Sequence, residues 1–151
     1  MKSKLQNDII CIIDERYVSV RGKYGMRDYV ITTDSSSDLP EEYYKEHGVG
    51  CTYLSYSMDG KNYTHENFLP VQEFYDAMRK GSLPTTAQVN PDDVRQLIEP
   101  YLKEGKDVLH IAFSSGLSGT YNSARIAVEE LKEEYPERSV IVMDSRAASL
   151  G

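Results

Sequence analysis

Cysteine and long apolar runs are both scarce in this sequence. Only two cysteines occur, Cys11 and Cys51, and they are far apart and match no metal-ligand spacing. Because no secretory signal precedes them, we interpret both as reduced, buried thiols of a cytoplasmic protein. The longest apolar run, IICII at residues 9–13, is far shorter than the roughly 18 residues that a membrane-spanning helix needs. The sequence therefore predicts no membrane span.

Positive charge and histidine are also in short supply. Lys and Arg number 17 against 24 Asp and Glu, a net charge of -7, which argues against a nucleic-acid partner. His47, His65 and His110 show no metal-ligand spacing, and each is interpreted as a surface or packing residue. No lysine follows a glycine-rich loop as in a Walker motif, and Gly116–Thr120 lacks the final glycine of a nucleophile elbow. We expect no metal, no cofactor and no catalytic residue.

The remaining pattern is that of a globular domain, because 151 residues with 40% hydrophobic content can bury a sizeable core. Short β-branched runs alternate with amphipathic stretches. Asp38 is predicted as an N-cap with Glu41 as its capping-box partner, and Asn90 announces a later helix. The predicted strands are residues 29–33, 49–58, 107–113 and 139–143, with a turn at Asp59–Gly60 after the second strand. Four helices are predicted. The first follows Asp38, the second spans about residues 70–80, the third follows Asn90, and the fourth carries the apolar stripe Tyr121, Ala124, Val128, Leu131 and Tyr135.

This order predicts a three-layer α/β domain with a mostly parallel sheet flanked by helices on both faces. Residues 26–151 form the predicted domain. Residues 1–25 are interpreted as an N-terminal extension of uncertain role, either an extra hairpin or an upstream segment.

Small polar residues gather where three predicted strands end. Asp34, Ser35 and Ser36 follow the first strand, FSSGLSGT follows the third, and Asp144 follows the last. In an open α/β sheet this edge is where ligands bind. Glycines and hydroxyls beside a helix N-terminus can hold a small anion such as a carboxylate or phosphate. The alternative is that Ser118 or Thr120 merely caps the helix and the other serines form turns.

The linker LPTTAQVNP joins two predicted helices and contains two prolines. Its residues Thr85, Thr86 and Gln88 can point hydroxyl and amide groups inward. It can equally be an ordinary ordered linker that supplies Asn90 as a helix cap.

The motifs VITTDSSSDLP, LPTTAQVNP, FSSGLSGTYNSA and VMDSRAASLG, in this order, resemble the DegV family over about residues 28–151. The resemblance implies an α/β protein that binds a long-chain fatty acid, and some members are the acyl-carrying subunit of a bacterial fatty-acid kinase. On this resemblance Thr86 and Ser115 would hold the acyl carboxylate, and Ser118 and Gly119 would shape the pocket. Asp34, Ser35, Ser36, Gln88 and Asp144 are further candidates. Ala87 stands where the family usually has serine, and Val89 where it usually has proline.

Family members continue after the last motif into a second domain that supplies the other wall of the lipid pocket. We therefore expect this chain to correspond to the first domain alone, with self-association through the face that a second domain would cover. A fatty-acid kinase catalytic subunit is the implied protein partner.

An enzyme acting on a small phosphorylated or acyl substrate at the same edge is the alternative. Asp34 or Asp144 would then serve as acid or base, although aspartates at strand ends more often accept backbone N–H bonds. No His, Lys or Cys lies in the motifs to support such chemistry, and the resemblance to the DegV family favours a binding protein.

Overall fold

The computed structural model describes residues 11–14, 17–22 and 25–149. Within these residues the chain forms nine strands, four α-helices and a short 3-10 turn at Ser35–Ser37. The strands are β1 Cys11–Asp14, β2 Tyr17–Gly22, β3 Gly25–Asp34, β4 Gly50–Thr52, β5 Ser55–Met58, β6 Lys61–Tyr63, β7 Thr85–Ala87, β8 Asp107–Ala112 and β9 Val140–Asp144. The helices are α1 Glu41–His47, α2 Val71–Arg79, α3 Pro91–Lys103 and α4 Thr120–Glu134. None of the helices in this part of the chain is long and apolar enough to cross a membrane.

The main sheet has six strands and a parallel centre. β3 pairs in parallel with β4 and with β8, and β8 pairs in parallel with β9. β1 and β2 add antiparallel strands next to the first residues of β3. The α/β class with a mostly parallel sheet flanked by helices is confirmed. Residues 1–10 of the predicted extension lie outside the described residues, and its role stays a prediction.

The core lies between this sheet and the helix pair α3 and α4. Along β8 burial alternates, so that Val108, His110 and Ala112 are buried and the residues between them are less so. The predicted stripe on α4 is confirmed, since Ala124, Val128 and Leu131 are at most 2% exposed. α3 contributes Val94, Ile98 and Leu102. Each large aliphatic side chain removed from water in this way stabilises the fold by roughly 1.5 to 3 kcal/mol.

The other side of β9 is open to solvent. Ile141 and Met143 point away from the helix pair, because their neighbours Val140 and Val142 belong to or pack against the core. They are 55% and 45% exposed. The edge strand of the sheet therefore carries uncovered apolar side chains.

The predicted cap of α3 is confirmed, whereas the predicted cap of α1 is wrong. Asn90 accepts a hydrogen bond from Asp93 N at 2.9 Å, and Asp93 completes the capping box. Asp38 instead ends the 3-10 turn with a φ of 55°, and Pro40 occupies the N-cap position of α1. Three consecutive serines tighten the turn after β3, so that Asp38 takes up a left-handed position that a helix cap does not use. Gly48 ends α1 with a φ of 62°, a left-handed position that glycine adopts readily.

Residues 49–58, predicted as one strand, form two strands in different sheets. β4 joins the main sheet, whereas β5 pairs with β6 and β7 in a small antiparallel sheet. The predicted turn at Asp59–Gly60 joins β5 to β6, with φ values of 52° and 75°. Alternating side chains suited both strands equally well, so the pattern did not reveal that the chain changes sheets at Tyr53–Leu54.

The helix predicted at about residues 70–80 is observed as α2. Its apolar face is only partly used, because Phe74 packs its ring 5.1 Å from Tyr56 of the small sheet. Val71, Tyr75 and Met78 remain 73%, 52% and 40% exposed. α2 therefore attaches to the small sheet and presents further apolar surface outward.

Candidate ligand-binding site

The three predicted polar segments meet at one edge of the main sheet. Asp34 and Asp144 are the last residues of β3 and β9. Ser115 lies in the loop after β8, and β8 is the strand between β3 and β9. Since the three strands are parallel, their carboxyl ends share an edge. The predicted convergence of these loops is therefore observed.

Asp34 ties two of the loops together. It is 1% exposed, and its carboxylate accepts hydrogen bonds from Phe113 N at 2.7 Å and from Ser36 N at 3.1 Å. The Ser36 hydroxyl donates to the same carboxylate. The Ser35 hydroxyl accepts from Leu54 N at 3.0 Å, which attaches the start of the small sheet. Asp34, Ser35 and Ser36 thus already have partners that hold the loops in place.

Asp144 holds Ser115. One carboxylate oxygen of Asp144 accepts from Ser115 N at 3.1 Å and from Arg146 N at 3.0 Å. The other accepts from the Ser115 hydroxyl at 2.6 Å. These bonds, the Ser115 hydroxyl first among them, lower the pKa of Asp144. Asp144 is therefore a carboxylate at neutral pH and has no proton to give as a general acid.

The segment after β9 folds back over the FSSG loop. Ser145 N donates to Ala112 O at 3.1 Å, and Ser114 N donates to Ala147 O at 3.4 Å. Two residues further on, the Ser149 hydroxyl donates to the Asp38 carboxylate. The last motif in the described chain thus links the loops after β3, β8 and β9 into one polar surface.

The start of α4 presents unused backbone donors. The Ser118 hydroxyl accepts from Thr120 N at 3.2 Å, and Gly119 is the N-cap without a side-chain cap bond. Among the described residues no group accepts from the backbone N–H of Tyr121 or Asn122. Together with the helix dipole, these N–H groups favour a negatively charged group at this end of the helix. Ser118 itself serves the helix start, which is the structural alternative considered for it.

Gln88 connects the TTAQ segment to the start of α4. Its amide lies so close to Gly119 that a Cβ on this glycine would be 2.0 Å from Gln88 Oε1. Gln88 Nε2 also donates to the Ser123 hydroxyl at 3.3 Å. Gly119 is therefore needed for close approach, and the segment that carries Thr86 is held against the FSSGLSGT loop.

Thr86 lies in the small sheet directly opposite Tyr56. Among the described residues its hydroxyl has no hydrogen-bond partner, and the side chain is exposed. No hydrogen bond joins it to Ser115. Side chains two residues apart on an extended chain point the same way, so Thr86 and Gln88 share the side that meets α4. Thr86 thus has a free donor near the polar edge.

Aromatic rings adjoin Thr86. Tyr56 lies between Thr86 and Tyr63 in the register of the small sheet, and directly opposite side chains share a face. The rings of Tyr63, Phe68 and Phe74 lie 4.8, 5.6 and 5.1 Å from that of Tyr56. We call Tyr56, Tyr63, Phe68 and Phe74 the aromatic cluster. It places an apolar wall beside a free hydroxyl.

Two cavities adjoin the small sheet and α1. A groove of about 330 Å³ runs along the small sheet and is lined by Ser55, Tyr56, Ser57, Asn62, Thr64, Thr85, Thr86 and Ala87, so that Thr86 and Tyr56 border it as well. A larger cavity of about 590 Å³ adjoins α1 and β4. It contains Cys51, whose pKa burial raises to about 11, so that the thiol stays protonated at neutral pH. Cys51 is free, as predicted, but only partly buried.

The histidines lie apart from the candidate site or inside the core. His110 is fully buried, and its Nδ1 lies 2.9 Å from the Thr32 hydroxyl. His65 stacks on Tyr53, and His47 packs against Tyr43 with the two rings tilted by 40°. Among the described residues no group of His, Cys, Asp and Glu could hold a metal ion.

Two features of the site were missed by sequence reasoning. The hydrogen bond from Ser115 to Asp144 joins residues 29 positions apart, and the motifs named both residues without linking them. The aromatic cluster was also missed, although tyrosine is frequent, with 12 in the chain. The alternation of Tyr56 with serines on either side was the available signal.

The fold is that of an α/β protein, and the carboxyl ends of its parallel strands form the candidate ligand site. The chain belongs to the DegV family, because the family model described as "Uncharacterised protein, DegV family" matches residues 28–151. The predicted resemblance is thereby confirmed.

Sequence and structure comparisons agree with this assignment. A DegV domain-containing protein of Clostridium perfringens is 41% identical over 128 residues, which cover 83% of this chain and 44% of that protein. A Thermus thermophilus structure described as fatty acid binding of a DegV family protein has a TM-score of 0.71 and 37% identity, and the match covers 83% of this chain and 43% of that chain. A stearic acid-binding protein from Eubacterium ventriosum has a TM-score of 0.74 and 29% identity, over 80% of this chain and 42% of that one. The chain spans less than half the length of these relatives.

Proposed function

We propose that this chain binds a long-chain fatty acid, with Thr86 and Ser115 contacting the carboxylate and the aromatic cluster contacting the acyl chain. The observation that carries the proposal is the free Thr86 hydroxyl beside the aromatic cluster. The proteins from Thermus thermophilus and Eubacterium ventriosum, whose fold this chain shares, bind fatty acids.

The chemistry of the two surfaces fits the two ends of such a ligand. A carboxylate accepts hydrogen bonds and donates none, and Thr86 together with the open N–H groups at the start of α4 offers donors. An acyl chain gains about 0.8 kcal/mol for each methylene that leaves water. The aromatic cluster and the exposed Leu117 offer apolar contacts for it.

A binding role fits Asp34 and Asp144 better than the enzyme alternative does. Both carboxylates accept backbone N–H groups that fix the loops. We propose further that the bound acyl group is presented to a fatty-acid kinase catalytic subunit in the cytoplasm. We also propose that the apolar surface around Ile141 and Met143 supports self-association of this chain.

Thr86→Val tests the head-group role. We expect it to lower the affinity for a fluorescent fatty acid by roughly ten- to hundred-fold, because a hydrogen bond to a charged group contributes roughly 1.5 to 3 kcal/mol. Thr85→Val is the matched control, since successive side chains of a strand point to opposite faces and Thr85 pairs with Ser57, whereas Thr86 pairs with Tyr56 of the aromatic cluster. Equal affinities of the two variants would contradict the proposal.

Ser115→Ala should also weaken binding while the chain remains folded. Its control is Ser82→Ala, because the Ser82 hydroxyl likewise donates to an aspartate, Asp59, at 2.6 Å, in a turn of the small sheet. Titrations at concentrations where light scattering shows a monomer should give an affinity weaker than about 1 μM, since the aromatic cluster covers the acyl chain from one side and leaves much of it in water.

A further inference from the structure

The hydroxyl of Ser115 is already committed as a donor. A serine hydroxyl has one hydrogen to donate and two lone pairs that accept. At 2.6 Å this hydrogen goes to one oxygen of Asp144. What Ser115 offers to an incoming ligand is therefore an acceptor, although a carboxylate requires a donor.

Asp144 cannot easily turn away from Ser115. Its second oxygen is fixed by two backbone N–H groups, those of Ser115 and Arg146. The carboxylate thus keeps its position even when the Ser115 hydroxyl rotates. A ligand carboxylate that reached Ser115 would meet a second negative charge, and two like charges at one hydroxyl repel each other.

We propose that Asp144 is a positioning residue that tunes the head-group preference of the site, by holding the Ser115 hydroxyl as an acceptor and so weakening the contact that Ser115, unlike Thr86, makes with an ionised carboxylate. This inference rests on the proposed lipid-binding function and deepens it. An uncharged head group with an O–H, such as a fatty alcohol or a protonated fatty acid, can donate to Ser115 without displacing Asp144. An ionised fatty acid must first break the bond between Ser115 and Asp144.

Asp144→Asn reverses this preference. The asparagine oxygen can still accept the backbone N–H groups of Ser115 and Arg146, and its NH₂ group replaces the oxygen that faces the Ser115 hydroxyl. The NH₂ group then donates to the serine oxygen, which frees the serine hydrogen for a ligand carboxylate. The variant also removes the repelling charge.

The test compares decanoate with decanol as competitors of a fluorescent fatty acid bound to the full chain. It is done at about pH 8, where decanoate is ionised, because a free aliphatic carboxyl such as that of Glu has a pKa of about 4.3. The quantity measured is the ratio of the two affinities, in which the contribution of the shared alkyl chain cancels. Asp144→Asn should raise the preference for decanoate about ten-fold, as expected for one hydrogen bond to a charged group. Adding Ser115→Ala to this variant should remove most of that gain.

Asp107→Asn is the matched control. Asp107 lies at the opposite end of β8, where its carboxylate accepts Ser139 N at 2.9 Å, so the substitution makes the same charge change far from the site. Its ratio should equal that of the unmodified chain. An unchanged or lower preference for decanoate in Asp144→Asn, or an equal gain in Asp107→Asn, would overturn the proposal.

A second measurement tests the proposal if the Asp144→Asn variant does not fold. In the otherwise unmodified chain, Ser115→Ala should cost less decanoate affinity than Thr86→Val, because only the Ser115 hydroxyl must first leave an aspartate. An equal or larger loss for Ser115→Ala would overturn the inference while leaving fatty-acid binding intact. Failure of both lipids to bind the unmodified chain would instead overturn the proposed function, and this inference with it.

Discussion

Gly119→Ala should disturb the site without disturbing the helix that begins there. Gly119 has φ and ψ of -73° and -4°, which alanine adopts without strain, so the backbone change alone should stabilise the fold by roughly 0.4 to 1 kcal/mol. The new Cβ, however, would lie 2.0 Å from Gln88 Oε1 and 2.8 Å from its Cδ. The Gln88 side chain must therefore move and lose its bond to Ser123, which costs roughly 0.5 to 1.5 kcal/mol.

These two effects nearly cancel in the free energy of unfolding, but they separate in a double-mutant cycle with Gln88→Ala. In the Gln88→Ala background the clash is gone, so Gly119→Ala should stabilise by the backbone gain alone. We therefore expect a coupling of roughly 0.5 to 1.5 kcal/mol between the two sites, measured by urea unfolding of all four proteins. Fatty-acid affinity should fall in Gly119→Ala, because Gln88 no longer holds the segment of Thr86. The same change in stability in both backgrounds would refute the close packing of Gln88 on Gly119.

Two further predictions concern stability. Burial lowers the pKa of His110 in the folded protein to about 4. The fold is therefore fully stable above about pH 6.5, the pKa of histidine in the unfolded chain, and loses stability as the pH falls toward 4, because the unfolded chain binds the proton first. Unfolding should cost about 2 kcal/mol less near pH 5 than near pH 7, and His110→Gln should lose most of this slope; an unchanged slope would contradict the assignment. Gly50→Ala would place a Cβ 2.9 Å from Thr32 Cγ2 and 3.1 Å from Leu97 Cδ1, and should destabilise the fold by roughly 1 to 3 kcal/mol. Gly116→Ala, with 3.6 Å to its nearest atom, should be nearly neutral in the same urea titration.

The helices and strands around the core could be predicted because their signals are local. Asn90 begins α3 with a capping box, and the stripe of Ala124, Val128 and Leu131 becomes the buried face of α4. Asp38 satisfied the same local rule, but the predicted cap was wrong because the preceding serines form a 3-10 turn that ends at Asp38.

The candidate site could be predicted only in part. Parallel strands bring their carboxyl ends together whatever their sequence, so the convergence of Asp34, Ser115 and Asp144 followed from the fold class alone. Which group donates to which depends on distances of a few tenths of an ångström, and no spacing in the sequence encodes these. The division of residues 49–58 between two sheets was hidden for a similar reason, since alternation specifies a face and leaves the partner strand open.

The change of sheets at Tyr53–Leu54 has a mechanical consequence. β5, β6 and β7 contact one another far more than they contact the main sheet, and α2 packs on them through Phe74. The small sheet and α2 are therefore attached to the main sheet mainly through residues 53–54 and the segment after Gln88, and a rotation about these two segments would move them together. Such a hinge would carry Thr86 and the aromatic cluster toward or away from Ser115 while every strand pairing of the main sheet stays intact. Such a movement would require breaking the contacts of Gln88, the bond from Leu54 N to Ser35 and the packing of Leu54 against the core.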